Sequence, residues 1–205
     1  MKVEFFHDTI CSFCFPMSYK MRIIAKEIPG IEIIHRSFSL VWGKEDLINM
    51  FGSISNAKKE IMTHWEHANT TDPLGRFNID GMKAATFDFP TSKNALLAAK
   101  AAGIIGGEDT YWDLFDELQK AMFMQSKDIS DIEVIEECVK AISIDFDTWQ
   151  KQFNDPATLN KVREDFDLVK KYGVRSVPTL IVNGEHKVSG SLPVEELKNA
   201  ILKAG

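Results

Sequence analysis

KVEFFHDTICSFCFPMSYKMRIIAKEIPGIEIIHRSF, residues 2–38, is the stretch on which the architecture turns. Lys2 to Phe6 reads as a short strand: Val3, Phe5 and Phe6 suit a pleated, half-buried surface, and the polar run His7-Asp8-Thr9 bounds it. From Pro16 the apolar residues Met17, Met21, Ile24 and Ile28 recur at helical spacing until Pro29-Gly30 ends the pattern. Ile31 to Phe38 follows as an isoleucine-rich strand, expected to be buried on both faces. Strand, helix and strand of these lengths predict a right-handed βαβ unit with parallel neighbours in one sheet. Cys11 and Cys14 fall between the first strand and the helix, the context in which a Cys-x-x-Cys is a redox motif.

Beyond this unit the period changes. From about Leu40 to Tyr172 the chain reads as helical, with an alanine-rich stretch Asn94 to Ala102 and an aromatic amphipathic stretch Tyr111 to Met124. Ser130 with Glu133 has the form of a capping box, and Asp155 before Pro156 that of a helix start. The helix that follows carries Leu159, Val162, Phe166 and Val169 on one face and stops at Gly173. Thr179 to Val182 is again strand-like, Asn183-Gly184 is a hairpin signal, and a second short strand ends near Ser189. Pro193 opens a closing helix with Val194, Leu197, Ile201 and Leu202 on its apolar face. The expected class is α/β: residues 1–40 and 173–205 form one discontinuous domain, and 41–172 are a helical domain inserted into it.

A chain of 205 residues with 44% hydrophobic residues can bury a sizeable core, which excludes a disordered chain. Its net charge of −6 argues against nucleic acid and anionic lipid as partners, because both are held by surplus lysine and arginine. No apolar run reaches the about 18 residues of a membrane span, and Glu4, His7 and Asp8 interrupt any export segment near the start, so a cytoplasmic location is expected. The three cysteines, 11, 14 and 138, are too few and too unevenly placed for the disulfide framework of a small secreted domain.

Thiolate is the attacking species in disulfide exchange, and the start of a helix favours an anion. Cysteines in such motifs have pKa values of roughly 3.5 to 7, against about 8.5 for a free thiol. Cys11 is therefore the expected nucleophile, and Cys14, a turn deeper, the thiol that resolves the mixed disulfide. The competing reading of the pair is structural or half of a zinc site, but no second cysteine or histidine pair stands at ligand spacing, so no metal is expected. His7 and Asp8 lie in the loop leading to Cys11, where either could tune it; a loop histidine is also commonly inert. His35 lies within a strand, and Cys138, among Ile132, Ile135 and Val139, reads as a small buried hydrophobe. The methionines 50, 62, 82, 122 and 124 suit a substrate groove, though core filler is the better account of most. Ser176-Val177-Pro178-Thr179 places a proline at the mouth of a strand, where its missing N–H breaks no ladder.

Taken together, Val3-Glu4-Phe5-Phe6, Cys11-Ser12-Phe13-Cys14, Gly173 to Thr179 and Val188 to Pro193 resemble the thioredoxin-fold proteins. Within these the likeness is to the DsbA-like family with a large helical insertion, and above all to its FrnE branch of dithiol oxidoreductases. The resemblance implies exchange of disulfides with protein or small-molecule thiols, glutathione among them, with no cofactor. It also implies that Pro178 is cis and faces the cysteines, with Val177 offering backbone to a bound peptide and Ser12 and Phe13 lining the substrate. Glu4 is similar to the buried acid beneath the pair that assists proton movement, although one extra residue separates it from Cys11; a hydrogen-bonded strand glutamate is the alternative. The dipeptide Ser12-Phe13 differs from the Pro-His, Gly-Pro and Pro-Trp versions common in the superfamily, so the direction of exchange is not fixed by it. Two other functions stay open: a glutathione-dependent transferase or isomerase of the kappa and 2-hydroxychromene-2-carboxylate isomerase type, whose members commonly lack the second cysteine, and a protease adaptor without catalysis.

Overall fold

A computed structural model describes residues 1–205. The sheet has four strands: β1 (Lys2–His7), β2 (Glu32–Ser37), β3 (Thr179–Val182) and β4 (His186–Ser189), in the order β2-β1-β3-β4. β1 and β2 run parallel across the helix α1 (Cys14–Glu27), as the crossover length requires. β3 lies antiparallel to both β1 and β4. β2 occupies an edge, so its residues alternate between buried and partly covered instead of being enclosed on both faces. The hairpin forms at Asn183 and Gly184, whose φ angles of 50° and 78° are those its reversal demands.

Seven helices fill the interval between β2 and β3. They are α2 (Lys44–Phe51), α3 (Ile54–Thr71), α4 (Ile79–Ala84), α5 (Lys93–Phe123), α6 (Ile132–Lys140), α7 (Phe146–Asn154) and α8 (Pro156–Lys171); α9 (Val194–Ala204) closes the chain. The alanine-rich and aromatic stretches are one long element, α5, interrupted at Gly107 (φ 77°, ψ −168°), a conformation natural only to glycine. Asp155 caps α8, its carboxylate accepting from Ala157 N–H at 2.8 Å, with Pro156 in the first turn. The start of α6 departs from expectation. Its cap is Asp131, which accepts from Glu133 N–H at 3.0 Å, while Ser130 Oγ is taken by Thr91 N–H at 2.7 Å. A carboxylate nearer the first turn outcompetes a hydroxyl already bound elsewhere.

One core cluster runs from the sheet into the helical insertion: Val3 and Phe5 of β1 and Met17, Met21 and Ile24 of α1 are joined to Trp65, Phe115, Phe123 and Trp149. α1 is fastened to α5 by a chain of polar bonds, in which Trp112 Nε1 donates to Ser18 Oγ at 2.7 Å and Ser18 donates to Asp116 at 2.5 Å. Arg22 completes it, bonding Asp116 at 2.9 Å and lying 4.1 Å over the Trp112 ring. The opposite face of the sheet packs Phe6 and Ile181 on Val174, with Leu168, Val169 and Tyr172 covering them. No helix is long and apolar enough to cross a membrane.

Candidate active site

β1 ends at His7 and delivers the chain into a turn in which Cys11 N–H donates to Asp8 O and Cys14 N–H donates to Cys11 O. α1 then begins at Cys14, so Cys11 stands in the turn that leads into the helix and Cys14 in its first residue. Both cysteines are reduced and buried, Cys11 at 4% exposure. The Cys11 thiol points at Val177 O, 3.5 Å away. Val177 and Pro178 are joined by a cis peptide bond, immediately before β3. Adjacent pairing of β1 and β3 brings together residues 166 positions apart in sequence. Val177 N–H donates to no group of the chain.

Burial pushes the Cys14 thiol well above its ordinary value, and the neighbouring Cys11 thiol adds to the rise; the Asp8 carboxylate raises it further, against the lowering from an Asp8 backbone hydrogen bond. Asp8 is itself fully buried. Its side chain accepts from Leu40 N–H at 2.6 Å, Ser92 Oγ at 2.7 Å, Ile10 N–H at 3.2 Å and Thr9 Oγ at 3.3 Å. Even so, burial outweighs these donors and lifts the carboxyl from 3.8 to about 6. This one residue thus ties the cysteine loop to the entrance of the helical insertion at Leu40 and to the start of α5 at Ser92. Sequence reasoning placed Asp8 only as a loop residue able to tune Cys11; the signal available was an aspartate directly after a strand and before Thr9-Ile10, a place where a carboxylate bonds backbone two residues on.

Glu4 does not take the place beneath the cysteines that the resemblance gave it. Strand alternation turns it to the face of Phe6, where its carboxylate accepts from Arg36 at 2.9 and 2.6 Å and from Tyr172 at 2.9 Å. Arg36 also reaches Asp165, which Lys100 bonds at 2.5 Å, so Glu4 belongs to a buried ion network joining β1, β2, α5 and α8. His7, on the opposite face of the strand, engages His35: its Nε2 meets His35 Nδ1 at 3.0 Å, and its ring packs 4.0 Å from Phe115. Burial holds both imidazoles well below their ordinary value, aided at His7 by the charge of His35 and by Lys100, and at His35 by Lys100 and Arg22. Ser12 is buried beside Cys11, and Phe13 sets its ring edge-on to His67 at 5.6 Å. Cys138, on α6, is buried, and that burial lifts its thiol to about 11.

A cavity of about 240 Å³ opens beside Cys11. The cysteine turn forms one wall through Ile10, Cys11, Ser12 and Phe13, and Val177 flanks it. α2 and α3 supply Met50, Phe51, Ile61 and His64 opposite; they lie within residues 41–81, where glycine, asparagine and threonine interrupt the helical period of the sequence and conceal this contribution. No group of three or more histidine, cysteine, aspartate or glutamate side chains is arranged to hold a metal ion.

A parallel βα unit with a Cys-x-x-Cys at its helix start, set against a cis-proline that opens an antiparallel strand, defines a thioredoxin-fold protein. The particular family follows from the sequence as well: the DSBA-like thioredoxin domain matches residues 2–202, and the chain belongs to it. Solved structures of similar fold include a Nitrosomonas europaea protein provisionally described as a protein disulfide isomerase, with a TM-score of 0.79, 15% identity, and 98% of this chain and 96% of that one covered. The cytosolic disulfide reductase DsbM of Pseudomonas aeruginosa, also solved with glutathione, is similar at a TM-score of 0.72 and 15% identity over 100% of this chain and 95% of its own. A 2-hydroxychromene-2-carboxylate isomerase shares the fold at a TM-score of 0.67 and 14% identity, covering 99% and 95%. No curated protein matches the chain in sequence.

Proposed function

We propose that the protein is a thiol-disulfide oxidoreductase in which Cys11 attacks and Cys14 resolves. The observation that carries this reading is the Cys11 thiol set at the wall of an open cavity, 3.5 Å from Val177 O, with a second reduced cysteine directly behind it. In the reducing direction the Cys11 thiolate attacks one sulfur of a substrate disulfide, forming a mixed disulfide and releasing the other sulfur as a thiol. The Cys14 thiolate then attacks Cys11 Sγ, which closes the Cys11–Cys14 disulfide and releases the second substrate thiol. Two electrons pass from the cysteine pair to the substrate, and the two cysteine protons end on the two product thiols. The oxidising direction is the same sequence reversed, with a substrate dithiol as electron donor.

Val177 N–H, free of any partner in the chain, hydrogen-bonds the substrate backbone, and Pro178, Ser12 and Phe13 shape its approach. Burial of Cys14 keeps it protonated until the mixed disulfide has formed, and the ionised Asp8 reinforces this. The retained second cysteine favours disulfide chemistry over a glutathione-dependent isomerase. Residues 41–172 act as an inserted helical unit that builds one side of the cleft, and the motifs resemble those of the FrnE branch. The sparse cysteines, with a cytosolic relative of similar fold, support a cytoplasmic setting. Reduction of insulin by the wild-type protein and by Cys11→Ser tests the reading: activity confined to the wild type is expected, and equal activity in both overturns it. Cys14→Ser should accumulate clients as mixed disulfides that reductant releases; partners retained regardless of reductant would instead mark an adaptor.

A further inference from the structure

The cavity beside Cys11 holds one proton carrier that the two sulfur displacements leave unused. Helix α3 is anchored by Trp65, fully buried among Phe77, Phe89 and Phe123, and so presents Ile61, His64 and His67, spaced three apart on one face, to the cysteine turn. Ile61 and His64 line the cavity together with Cys11, and His67 meets Phe13 edge-on at 5.6 Å. The cavity wall contains no lysine, arginine, aspartate or glutamate, and its other polar side chain, Ser12, stands on the cysteine turn. Apart from Cys11, His64 is therefore the one lining group able to carry a proton on and off near neutral pH. It is exposed, which lets that proton exchange with solvent.

Disulfide exchange is an in-line displacement, with the attacked sulfur between the attacking and the departing one. At about 2 Å per S–S bond the departing sulfur stands about 4 Å from Cys11 Sγ, towards the wall opposite the cysteine turn. That wall is hydrocarbon from Leu40, Met50, Phe51, Ile61 and Phe89, with His64 the exception, and a thiolate released against hydrocarbon alone is costly. We propose that His64 is the general acid of the exchange, its imidazolium donating a proton to the substrate sulfur that Cys11 displaces; the inference rests on the exchange reading given above. The electron pair of the broken S–S bond stays with the departing sulfur, which takes the proton and leaves as a thiol. The neutral imidazole is reprotonated from solvent, which received the proton that Cys11 lost on ionising, so the step balances. In the oxidising direction the neutral ring accepts the proton of the incoming substrate thiol. The dipeptide Ser12-Phe13 holds no group suited to this task, and the insertion supplies it from α3.

Single-turnover oxidation of the pre-reduced protein tests this with two disulfides that differ in how well their sulfur departs. Hydroxyethyl disulfide releases a basic alkanethiolate that leaves poorly without a proton, whereas an uncharged nitrophenyl disulfide releases a thiolate stable on its own. His64→Gln, at an exposed position that leaves the core intact, should slow the alkyl disulfide about 100-fold, the lower end of what a general acid contributes, and the aryl disulfide far less. The rate should accordingly depend more steeply on the acidity of the departing thiol in the variant than in the wild type. Equal slowing of both disulfides would place the effect of His64 on Cys11 or on the fold, and an unchanged alkyl rate would leave it no part at all. Either result overturns the general acid while the exchange reading stands. Failure of both disulfides to oxidise the wild-type pair overturns both.

Discussion

Asp8→Asn removes a buried charge that the fold holds at a cost, and the size of that cost follows from the carboxyl value. Asp8 titrates at about 6 in the folded protein against 3.8 for an unperturbed aspartate. The folded state therefore binds the proton more tightly than the unfolded chain does. Above about pH 6 the destabilisation is fully present; as pH falls it is relieved, and it is gone once the unfolded carboxyl is protonated as well. The full amount is ~3 kcal/mol at 1.36 kcal/mol per pH unit, with about 2 kcal/mol of it recovered by about pH 4.5. The amide of the variant carries no such titration, so the stability of wild type minus that of Asp8→Asn should rise by about 2 kcal/mol between about pH 8 and pH 4.5. Urea unfolding of both reduced proteins across that range measures it, and the difference cancels the titrating groups that the Asp8 charge does not perturb. A difference that stays flat with pH would refute the argument. Loss of the charge also eases ionisation of Cys14, so thiol absorbance at 240 nm should place the Cys14 titration lower in the variant than in the wild type.

The buried imidazoles act in the opposite sense. His7 and His35 fold as neutral rings with depressed values, so their contribution is complete above the unfolded value of about 6.5 and is lost as pH falls below it; His35→Gln should flatten that acid limb of the urea midpoint against pH. Arg36→Met strands Glu4 and weakens the hold on Asp165, and should cost about 3–5 kcal/mol in urea unfolding while leaving the rate of Cys11 with hydroxyethyl disulfide unchanged. Gly107→Ala places a side chain at φ 77°, ψ −168°, with a loss of about 1–3 kcal/mol despite open space around it. An unchanged urea midpoint there would mean the break in α5 relaxes freely.

The elements whose spacing is local were readable in advance. β1, α1 and β2, the Asp155-Pro156 start of α8, the Asn183-Gly184 hairpin and the Pro193 opening of α9 all carry their signals within a few residues, and the structure places them there. What escaped was decided by tertiary competition. Ser130 lost its cap role because Thr91, thirty-nine residues away, claims its hydroxyl. Distance along the chain to Cys11 says nothing of where Glu4 points; strand parity and the guanidinium of Arg36 set its direction. Asp8 gained its weight from Leu40 and Ser92, neither of which has any sequence relation to a cysteine motif. The apolar pocket lay in the stretch whose periods glycine, asparagine and threonine interrupt, so α2 and α3 could not be read as its far wall.

The arrangement in which β1 pairs with β3 has a consequence for the protein while it is being made. The two halves of the cysteine environment are contributed by segments that leave the ribosome far apart in time, and closing so long a loop comes before any contact between them is rewarded. A nascent chain that has released residues 1–172 carries both thiols without the backbone that will later oppose them. Until Val174 to Val182 has docked, the Cys11 sulfur is open to any oxidant that collides with it. Ribosome-bound fragments ending before residue 174 should therefore be alkylated at Cys11 faster than the folded protein, with protection arriving as β3 and β4 emerge.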